Sequence, residues 1–221
     1  MEANPPEPPV DLPAKVTAVT PQKRSGRLNI FADDTFLMGV SEDVVNQLAL
    51  EKGITITHDI YRKLYKKEYR SKLYHYFMKL LARREYSRAE LNRKAHQKGY
   101  DNRLITILLD EFEANDYISD QRYARAFVKD KFSINRWGPI KIKSHLIKKG
   151  IDKKIADQVI TSFITDDEMF STCQKLLSKK ASHFKREDDQ YKRQQKMMRY
   201  LASRGFPSYI CIKAVKHHQN N

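Results

Sequence analysis

The chain has 221 residues, 31% of them charged and 40% hydrophobic, and its formal net charge of +15 gives a pI near 9.7. This length suits one elongated domain or two compact ones, and the charge favours a polyanionic partner. An anionic membrane surface would also suit the charge, but no apolar run approaches the roughly 20 residues that span a bilayer. A secretory signal is not visible, and the two cysteines, Cys173 and Cys211, form no CxxC pair. We therefore expect a reduced, cytoplasmic setting.

The charge is concentrated in one part of the chain. Residues 1–60 contain five lysines and arginines against nine acidic residues, whereas residues 61–221 contain 37 against 18. The sequence therefore predicts an acidic head followed by a basic body, and it assigns polyanion binding to the body.

The head begins with a proline-rich tail at residues 1–13, where we expect disorder. Short runs typical of strands follow at Lys15–Thr20, Arg27–Phe31 and Thr35–Val40. A hairpin turn is expected between the last two runs, at Ala32–Asp34.

After the strands, Ser41 is predicted to cap a short helix that ends at Gly53, and Thr57 opens the next helix. Residues 14–57 thus form a small α+β subdomain, and no strand is expected from Tyr61 onward.

The body contains a repeated pattern centred on three glycines, Gly99, Gly150 and Gly205, at spacings of 51 and 55 residues. Hydrophobic residues stand four and eight positions before each glycine, and one and five positions after it. This pattern predicts a helix, a glycine C-cap with a hydrophobic residue packed beneath it, and a second helix. A further helix precedes each pair, at Leu73–Arg84, Gln121–Phe132 and Met169–Lys180. The sequence therefore predicts a mainly α fold with three three-helix repeats, at residues 58–116 (with a linker helix), 117–165 and 166–221.

Helix caps agree with these repeats. Ser87 to Glu90 form a capping box, and the second repeat has Gly138–Pro139 at the corresponding place, with proline at the first helical position. The acidic run Asp166–Glu168 could be read as a metal cluster. It stands at a predicted helix start, where carboxylates favour the helix dipole, so we interpret it as a cap.

Residue patterns that carry enzyme chemistry are missing from the sequence. None of the phosphate-binding glycine motifs, the GxSxG motif or the HExxH motif occurs, and the seven histidines are scattered. The adjacent His217 and His218 would point apart on a helix, whereas a metal site needs three or four converging ligands. Cys173 and Cys211 are interpreted as core residues. We expect no catalytic residue, no bound metal and no cofactor.

Aromatic residues recur at three- and four-residue steps, which usually indicates a helical core rather than a surface on which bases stack. Trp137, which follows Arg136, could stack on a partner, although packing under the turn between helices is the favoured interpretation.

Lysines and arginines on the predicted helices carry the main functional signal, because 37 of them in 161 residues exceed what solubility requires. Any single cation could equally be part of a solvated face. The densest group is in repeat 2, and repeat 3 is the second choice. The candidate contacts to a partner or to DNA phosphates are Arg122, Arg125, Lys129, Arg136, Trp137, Lys141, Lys143, Lys148, Lys149, Lys192, Lys196 and Arg199.

Four segments of the body resemble the RecX family, in order and at suitable spacing across about residues 60–216. They read LLARREYSRAEL at residues 80–91, YISDQRYARAFV at 117–128, GPIKI with LIKKGI at 138–151, and MRYLASRGF at 198–206. Residues 14–57 resemble the strand-containing extension of longer members, whereas residues 1–13 have no counterpart. The charged loop at residues 182–190 departs from the family pattern.

The resemblance implies a non-enzymatic, monomeric regulator of homologous recombination and DNA repair. Such a protein binds the RecA–DNA filament and suppresses ATP hydrolysis and strand exchange by RecA. The implied fold is an elongated, curved body of packed helices, which agrees with the repeats. Two alternatives stay open: a stand-alone helical-repeat protein that binds nucleic acid, and a repeat scaffold whose charge serves solubility alone.

Overall fold

The computed structural model describes residues 5–23 and 26–219. Its fold is mostly helical with one small antiparallel sheet, which confirms the predicted fold class. The elements are β1 (Ala14–Pro21), β2 (Arg27–Ala32), β3 (Thr35–Ser41), α1 (Glu42–Gln47), β4 (Thr55–Ile56), α2 (His58–Leu81), α3 (Arg88–Gln97), α4 (Asn102–Ala114), α5 (Asp120–Ser133), α6 (Pro139–Lys148), α7 (Lys153–Phe163), α8 (Asp166–Lys179), α9 (Ala181–Lys185), α10 (Gln190–Ser203) and α11 (Ser208–Gln219). The chain divides into an N-terminal body, Met1–Arg84 with Asn92–Ala114, and a C-terminal body, Glu85–Leu91 with Asn115–Asn221.

The sheet of the head has the strand order β3-β2-β1-β4, and every neighbouring pair is antiparallel. The hairpin between β2 and β3 turns at Asp33 and Asp34, whose φ angles are +44° and +59°. Two successive residues with positive φ match the right-handed twist of the flanking strands. The three predicted strands are confirmed. Strand β4 was not predicted, because two residues are too few to show an alternating pattern.

The tail in front of β1 has neither helix nor strand at residues 5–13. The side chains of Val10 and Leu12 nevertheless pack, partly buried, against the core of the head. Apolar side chains are favoured in such positions because burial removes their surface from water. The expected disorder therefore does not extend to Val10 and Leu12, and residues 1–4 of the tail lie outside the described residues.

In the N-terminal body, helix α1 lies between β3 and β4, and helix α2 follows β4. Helix α1 begins after Ser41 as predicted, but it ends at Gln47, and Ala49 with a φ of +46° redirects the chain before Gly53. Helix α2 begins where expected, with the Thr57 hydroxyl accepting the Ile60 N–H at 3.3 Å. It then continues without a break to Leu81, whereas the sequence predicted two helices. The two join because no proline or glycine separates them.

Each of the three glycines ends a helix in the left-handed conformation, with φ of +78° at Gly99, +85° at Gly150 and +88° at Gly205. The N–H that follows each glycine donates to the carbonyl oxygen four residues before that glycine, at 3.1–3.3 Å. This is the hydrogen-bond pattern of a Schellman cap. The repeated glycine C-caps are confirmed. Repeat 3 differs from the expected three helices, since the short helix α9 intervenes and buries Phe184.

The N-terminal caps of the helices also agree with the sequence predictions. The Ser87 hydroxyl accepts the Glu90 N–H at 3.1 Å, and the Glu90 carboxylate accepts the Ser87 N–H at 3.4 Å. Thr165 and Glu168 form a second capping box at the start of α8. Gly138 is the N-cap of α6, with Pro139 at the first helical position. The interpretation of Asp166–Glu168 as a cap is therefore confirmed.

Two joints within the C-terminal body connect the N-terminus of one repeat's middle helix to the glycine turn of the next repeat. At the first joint the Ser87 hydroxyl donates to the Lys149 carbonyl oxygen at 2.8 Å. At the second, the Gly138 N–H donates to the Arg204 carbonyl oxygen at 2.8 Å. In both cases the acceptor is the residue immediately before the turn glycine. We call these contacts the repeat joints.

The repeat joints leave no room for a side chain at the turn. A Cβ atom on Gly150 would lie 2.2 Å from the Cβ of Ala89, and one on Gly205 would lie 2.4 Å from the Cβ of Lys141. Both distances are far below van der Waals contact. Glycine is thus required at these turns for two reasons: the positive φ angle and the close approach of the neighbouring helix.

Candidate polyanion-binding surface

Arg122, near the start of α5, is the most constrained of the candidate contacts. Its Nε donates to Glu85 at 2.7 Å and its Nη1 donates to the Asp116 carboxylate at 2.9 Å. Its Nη2 donates to the carbonyl oxygens of Asp116 and Tyr117, both at 3.2 Å. The hydrogen bond to Glu85 is the main reason why the pKa of Arg122 is raised. The guanidinium therefore fastens the turn before α5 to the segment that contains Glu85.

Arg125 and Lys129 follow on the same face of α5, at three- and four-residue steps. Both side chains are exposed. Within the described residues, neither forms an ion pair. They are therefore accessible to a phosphate.

Trp137 lies in the turn between α5 and α6 and packs, half-buried, against the core of the C-terminal body. Its ring centroid is 4.6 Å from that of His145, and the Lys141 ammonium lies 4.7 Å from the Trp137 ring. Burial, followed by the charges of nearby lysines, lowers the pKa of His145. The geometry matches the expected packing under the turn, since one ring face is already occupied. The preceding Arg136 is half-buried and has a φ of +53°.

The lysines of α6 and its C-cap residue, Lys149, do not form one uniform cationic surface. Lys143 pairs with Asp157 at 2.5 Å and Lys149 pairs with Glu90 at 2.6 Å, while Lys148 is exposed. Burial opposes the charge of Lys149, but hydrogen bonds to Glu90 and Tyr123 outweigh it and raise its pKa. Glu90 is only 9% exposed and also accepts the Ser87 N–H, while the Ser87 hydroxyl donates to the Lys149 carbonyl oxygen. The ion pair between Lys149 and Glu90 is therefore part of the first repeat joint.

The cations of repeat 3 divide in a similar way. Lys196 pairs with Glu187, whose pKa it lowers through a hydrogen bond. Lys192 and Arg199 are exposed, and within the described residues neither side chain forms an ion pair, although the charge of Lys192 helps to lower the pKa of Glu187. Eight of the twelve candidate contacts thus fall into two groups. Four are held in ion pairs (Arg122, Lys143, Lys149 and Lys196), and four are exposed and form no ion pair in the described part of the chain (Arg125, Lys129, Lys192 and Arg199).

Sequence reasoning did not single out a cation–aromatic cluster in repeat 3. The Lys180 ammonium lies 4.7 Å from the Tyr200 ring, and the Arg204 guanidinium carbon lies 5.6 Å from the same ring. Nearby in sequence, Tyr191 is 68% exposed and directly precedes Lys192. In the sequence, the only sign of this cluster was an aromatic residue next to a cation, as at Tyr191 and Lys192. That sign is weak, because helices often contain both residue types.

Other classes of site find little support in the part of the chain that the structure describes. No group of three or more His, Cys, Asp or Glu side chains there could hold a metal ion. Cys173 and Cys211 are buried, as expected, and burial raises the pKa of the Cys173 thiol to about 12. Within the same residues, no helix combines the length and apolar character that crossing a bilayer requires.

Three sequence models of one family match the chain. The model of the regulatory protein RecX N-terminal domain matches residues 14–57. The models of the second and third RecX three-helix domains match residues 119–160 and 166–215. Together the three matches cover more than half of the 221 residues.

Curated relatives and solved structures agree with these models. The regulatory protein RecX of Clostridium perfringens (strain 13 / Type A) is 27% identical over 209 residues, covering 94% of this chain and 97% of that protein. The RecX protein of Clostridium botulinum (strain Eklund 17B / Type B) is 29% identical over 203 residues, covering 91% and 94%. A crystal structure of regulatory protein RecX is similar with a TM-score of 0.76 at 24% identity, covering 91% of this chain and 98% of that one. RecX from Lactobacillus salivarius gives a TM-score of 0.66 at 24% identity, covering 70% and 99%. The order of the matched domains, their shared fold and the named relatives lead to one conclusion, that this chain belongs to the RecX family of regulatory proteins.

Proposed function

We propose that this protein regulates RecA by binding RecA–DNA filaments and by inhibiting ATP hydrolysis and strand exchange by RecA. It would act in this way in homologous recombination and DNA repair, as a cytoplasmic monomer that needs no cofactor. The family membership supports a regulatory role, and the net charge of +15 suits a partner that contains DNA. The protein would contribute binding energy and no covalent chemistry.

The observation that carries this proposal is the set of accessible cations on the C-terminal body. Arg125 and Lys129 lie on one face of α5, and Lys192 and Arg199 lie seven residues apart on α10, which again places them on one face. When exposed ammonium and guanidinium groups bind phosphates, the counterions held by the nucleic acid are released, and this release favours binding.

The direct test is RecA-driven ATP hydrolysis on single-stranded DNA, with and without the protein. The proposal expects hydrolysis to slow as the protein is added, and strand exchange to slow with it. Unchanged hydrolysis, under conditions where the protein binds the filament, would contradict the inhibitory part of the proposal. No binding to RecA filaments at all would contradict the whole of it.

A charge-reversal variant tests the surface. Arg125→Glu with Lys129→Glu should weaken inhibition strongly, while stability changes by less than about 0.5 kcal/mol because both side chains are exposed. The matched control is Lys175→Glu with Lys179→Glu on α8, which has the same four-residue spacing and also uses exposed residues. Arg122 is left intact, since its ion pairs hold the fold. Equal inhibition by the variant and the control would exclude this face of α5.

A second candidate function is stand-alone binding of nucleic acid. The high positive charge of residues 61–221 favours it independently of RecA. If about six phosphates are contacted on duplex DNA, the logarithm of the binding constant should fall with the logarithm of salt concentration at a slope of roughly −5. Tight, salt-dependent DNA binding to which RecA adds nothing would support this second function. A slope near zero would instead favour a scaffold whose charge serves solubility.

A further inference from the structure

A cavity of about 410 Å³ opens on the N-terminal body where the start of β2, one face of α2 and the turn before α4 meet. We call it the α2 pocket. Its principal lining residues are Arg27, Lys72, His75, Tyr76, Lys79 and Tyr100. Cavities of this size hold small organic ligands. The combination of cations with two tyrosine rings was not apparent in the sequence, because residues from three distant segments form it.

Helix α2 supplies most of the lining from a single face. His75 and Tyr76 each lie three or four residues from both Lys72 and Lys79, which places these residues on the same side of a helix. Lys72 and Lys79 are exposed, and within the described residues Lys79 has no acidic partner. Nδ1 of His75 lies 2.8 Å from the Ser71 carbonyl oxygen, so Nε2 is the nitrogen left for a ligand.

A buried carboxylate organises the opposite wall. Glu68 is only 1% exposed, and its Oε2 accepts the Ser41 N–H at 2.7 Å. Its Oε1 lies 2.8 Å from Nη2 of Arg27 and 3.6 Å from Nζ of Lys72. Arg27 is further held by a 2.9 Å hydrogen bond to the Gly39 carbonyl oxygen. One buried negative charge thus fixes Arg27 at the rim, and the three cations of the lining exceed it by two positive charges.

We propose that the α2 pocket binds one nucleotide unit of single-stranded nucleic acid, with its phosphate on Lys72 and Lys79 and its base against Tyr76 or Tyr100. Every base offers an aromatic face to a tyrosine, so the site would tolerate any sequence. The stacked bases of a duplex cannot enter such a pocket. This inference rests on the proposed function and refines it, since it adds Arg27 of the acidic head to the nucleic-acid contacts.

The first experiment uses photo-crosslinking without RecA. An oligonucleotide of about eight nucleotides, within the range that such proteins cover, carries 4-thiothymidine and is irradiated with the full-length protein. Mass spectrometry should then find the crosslink on the peptide that contains Tyr76 or Tyr100. Crosslinks confined to residues 115–219 would overturn the proposal. The same strand in a duplex should crosslink weakly at this pocket, and equal crosslinking by the duplex would contradict the base-stacking geometry.

Two variants measure the energetics. Lys72→Ala with Lys79→Ala should weaken oligonucleotide binding about tenfold at ~0.1 M salt and should reduce the salt slope by about 0.7, because the contact to one single-strand phosphate is lost. Tyr76→Leu should weaken binding by about tenfold through the loss of stacking. The matched control, Lys63→Ala with Lys67→Ala, removes two cations from the other side of α2. Equal binding by the double-lysine variant and this control would refute the pocket.

Two further arms separate the explanations. Free ATP should compete poorly with the oligonucleotide, whereas ATP that displaces it at equal concentration would make the occupant a free nucleotide and would overturn the assignment to a strand. RecA ATP hydrolysis is measured in parallel. Crosslinking at Tyr76 or Tyr100 by a protein that does not inhibit RecA would support the pocket while contradicting the proposed function. Inhibition of RecA without any crosslink at the pocket would support the proposed function and contradict the pocket.

Discussion

Substituting asparagine at each of the three turn glycines should separate the two roles of those glycines. Gly99, Gly150 and Gly205 all have φ between +78° and +88°. Asparagine is the side chain that most readily replaces glycine in this left-handed conformation. The backbone cost is therefore similar at the three positions. What differs is the space around the new Cβ atom, which is open at Gly99 and filled at the two repeat joints.

The magnitude follows from that difference. The left-handed conformation costs a non-glycine residue about 1 kcal/mol. Gly99→Asn should therefore lower the free energy of unfolding by no more than this amount. Crowding a packed site adds about 1–3 kcal/mol. Gly150→Asn and Gly205→Asn should therefore each lower the free energy of unfolding by about 2–4 kcal/mol. At Gly205 the new Cβ would also lie 2.5 Å from the backbone nitrogen of Lys141, so this joint has little room to adjust.

Chemical denaturation provides the assay. The single tryptophan, Trp137, reports on the C-terminal body by fluorescence, and far-UV circular dichroism reports on all helices. Gly150→Asn should be rescued in part by Ala89→Gly, which removes the clashing Cβ, whereas Ala89→Gly should not rescue Gly205→Asn. Equal losses at Gly99 and Gly150, or no rescue at Gly150, would refute the account of the repeat joints.

Two other predictions concern the C-terminal body. Arg122→Met should lower the free energy of unfolding by about 1 kcal/mol, because a partly exposed ion-pair network contributes modestly. The control Arg125→Met, at an exposed residue, should change it by less than about 0.5 kcal/mol. Equal shifts of the melting temperature in the two variants would argue against the anchoring role of Arg122. Burial raises the pKa of the Cys173 thiol from 9.0 to about 12, so the unfolded chain loses this proton at lower pH than the folded one. The stability that this thiol contributes is complete below pH 9.0 and falls as the pH rises toward 12, at up to about 1.4 kcal/mol per pH unit. The Cys173→Ala variant should show a shallower alkaline decline in denaturation experiments, and identical declines would contradict the assignment.

The sequence predicted features that depend on a few neighbouring residues. The glycine caps, the capping box at Ser87 and the turn at Asp33 and Asp34 each need only two to six consecutive positions, and the structure has all of them. Helix joining was harder to predict. No proline or glycine interrupts residues 58–81, so one continuous helix is allowed, but the hydrophobic pattern did not show that the two predicted helices would join.

The candidate surface could be predicted as a charge excess but not as individual contacts. Arg122 and Glu85 are 37 residues apart in the chain, and Lys149 and Glu90 are 59 apart. Sequence spacing shows which cations share a helix face, but it does not show which of them meet a carboxylate from another helix. The same limit applies to the α2 pocket, where Arg27 and Lys72 approach one buried carboxylate from different elements.

Helix α2 has a consequence for experiments that shorten the chain. Its first turns contribute Tyr61 and Leu64 to the core of the head, whereas Leu73 and Phe77 are buried farther along the same helix. Removing residues 1–57 would uncover Leu64, which is 0% exposed, and would leave the carboxylate of Glu68 without Arg27. A deletion of the head therefore damages the helix that remains. Loss of activity in such a truncated protein would reflect misfolding of α2 rather than the loss of a function of the head. The function of the head is better assigned by single substitutions on the strands.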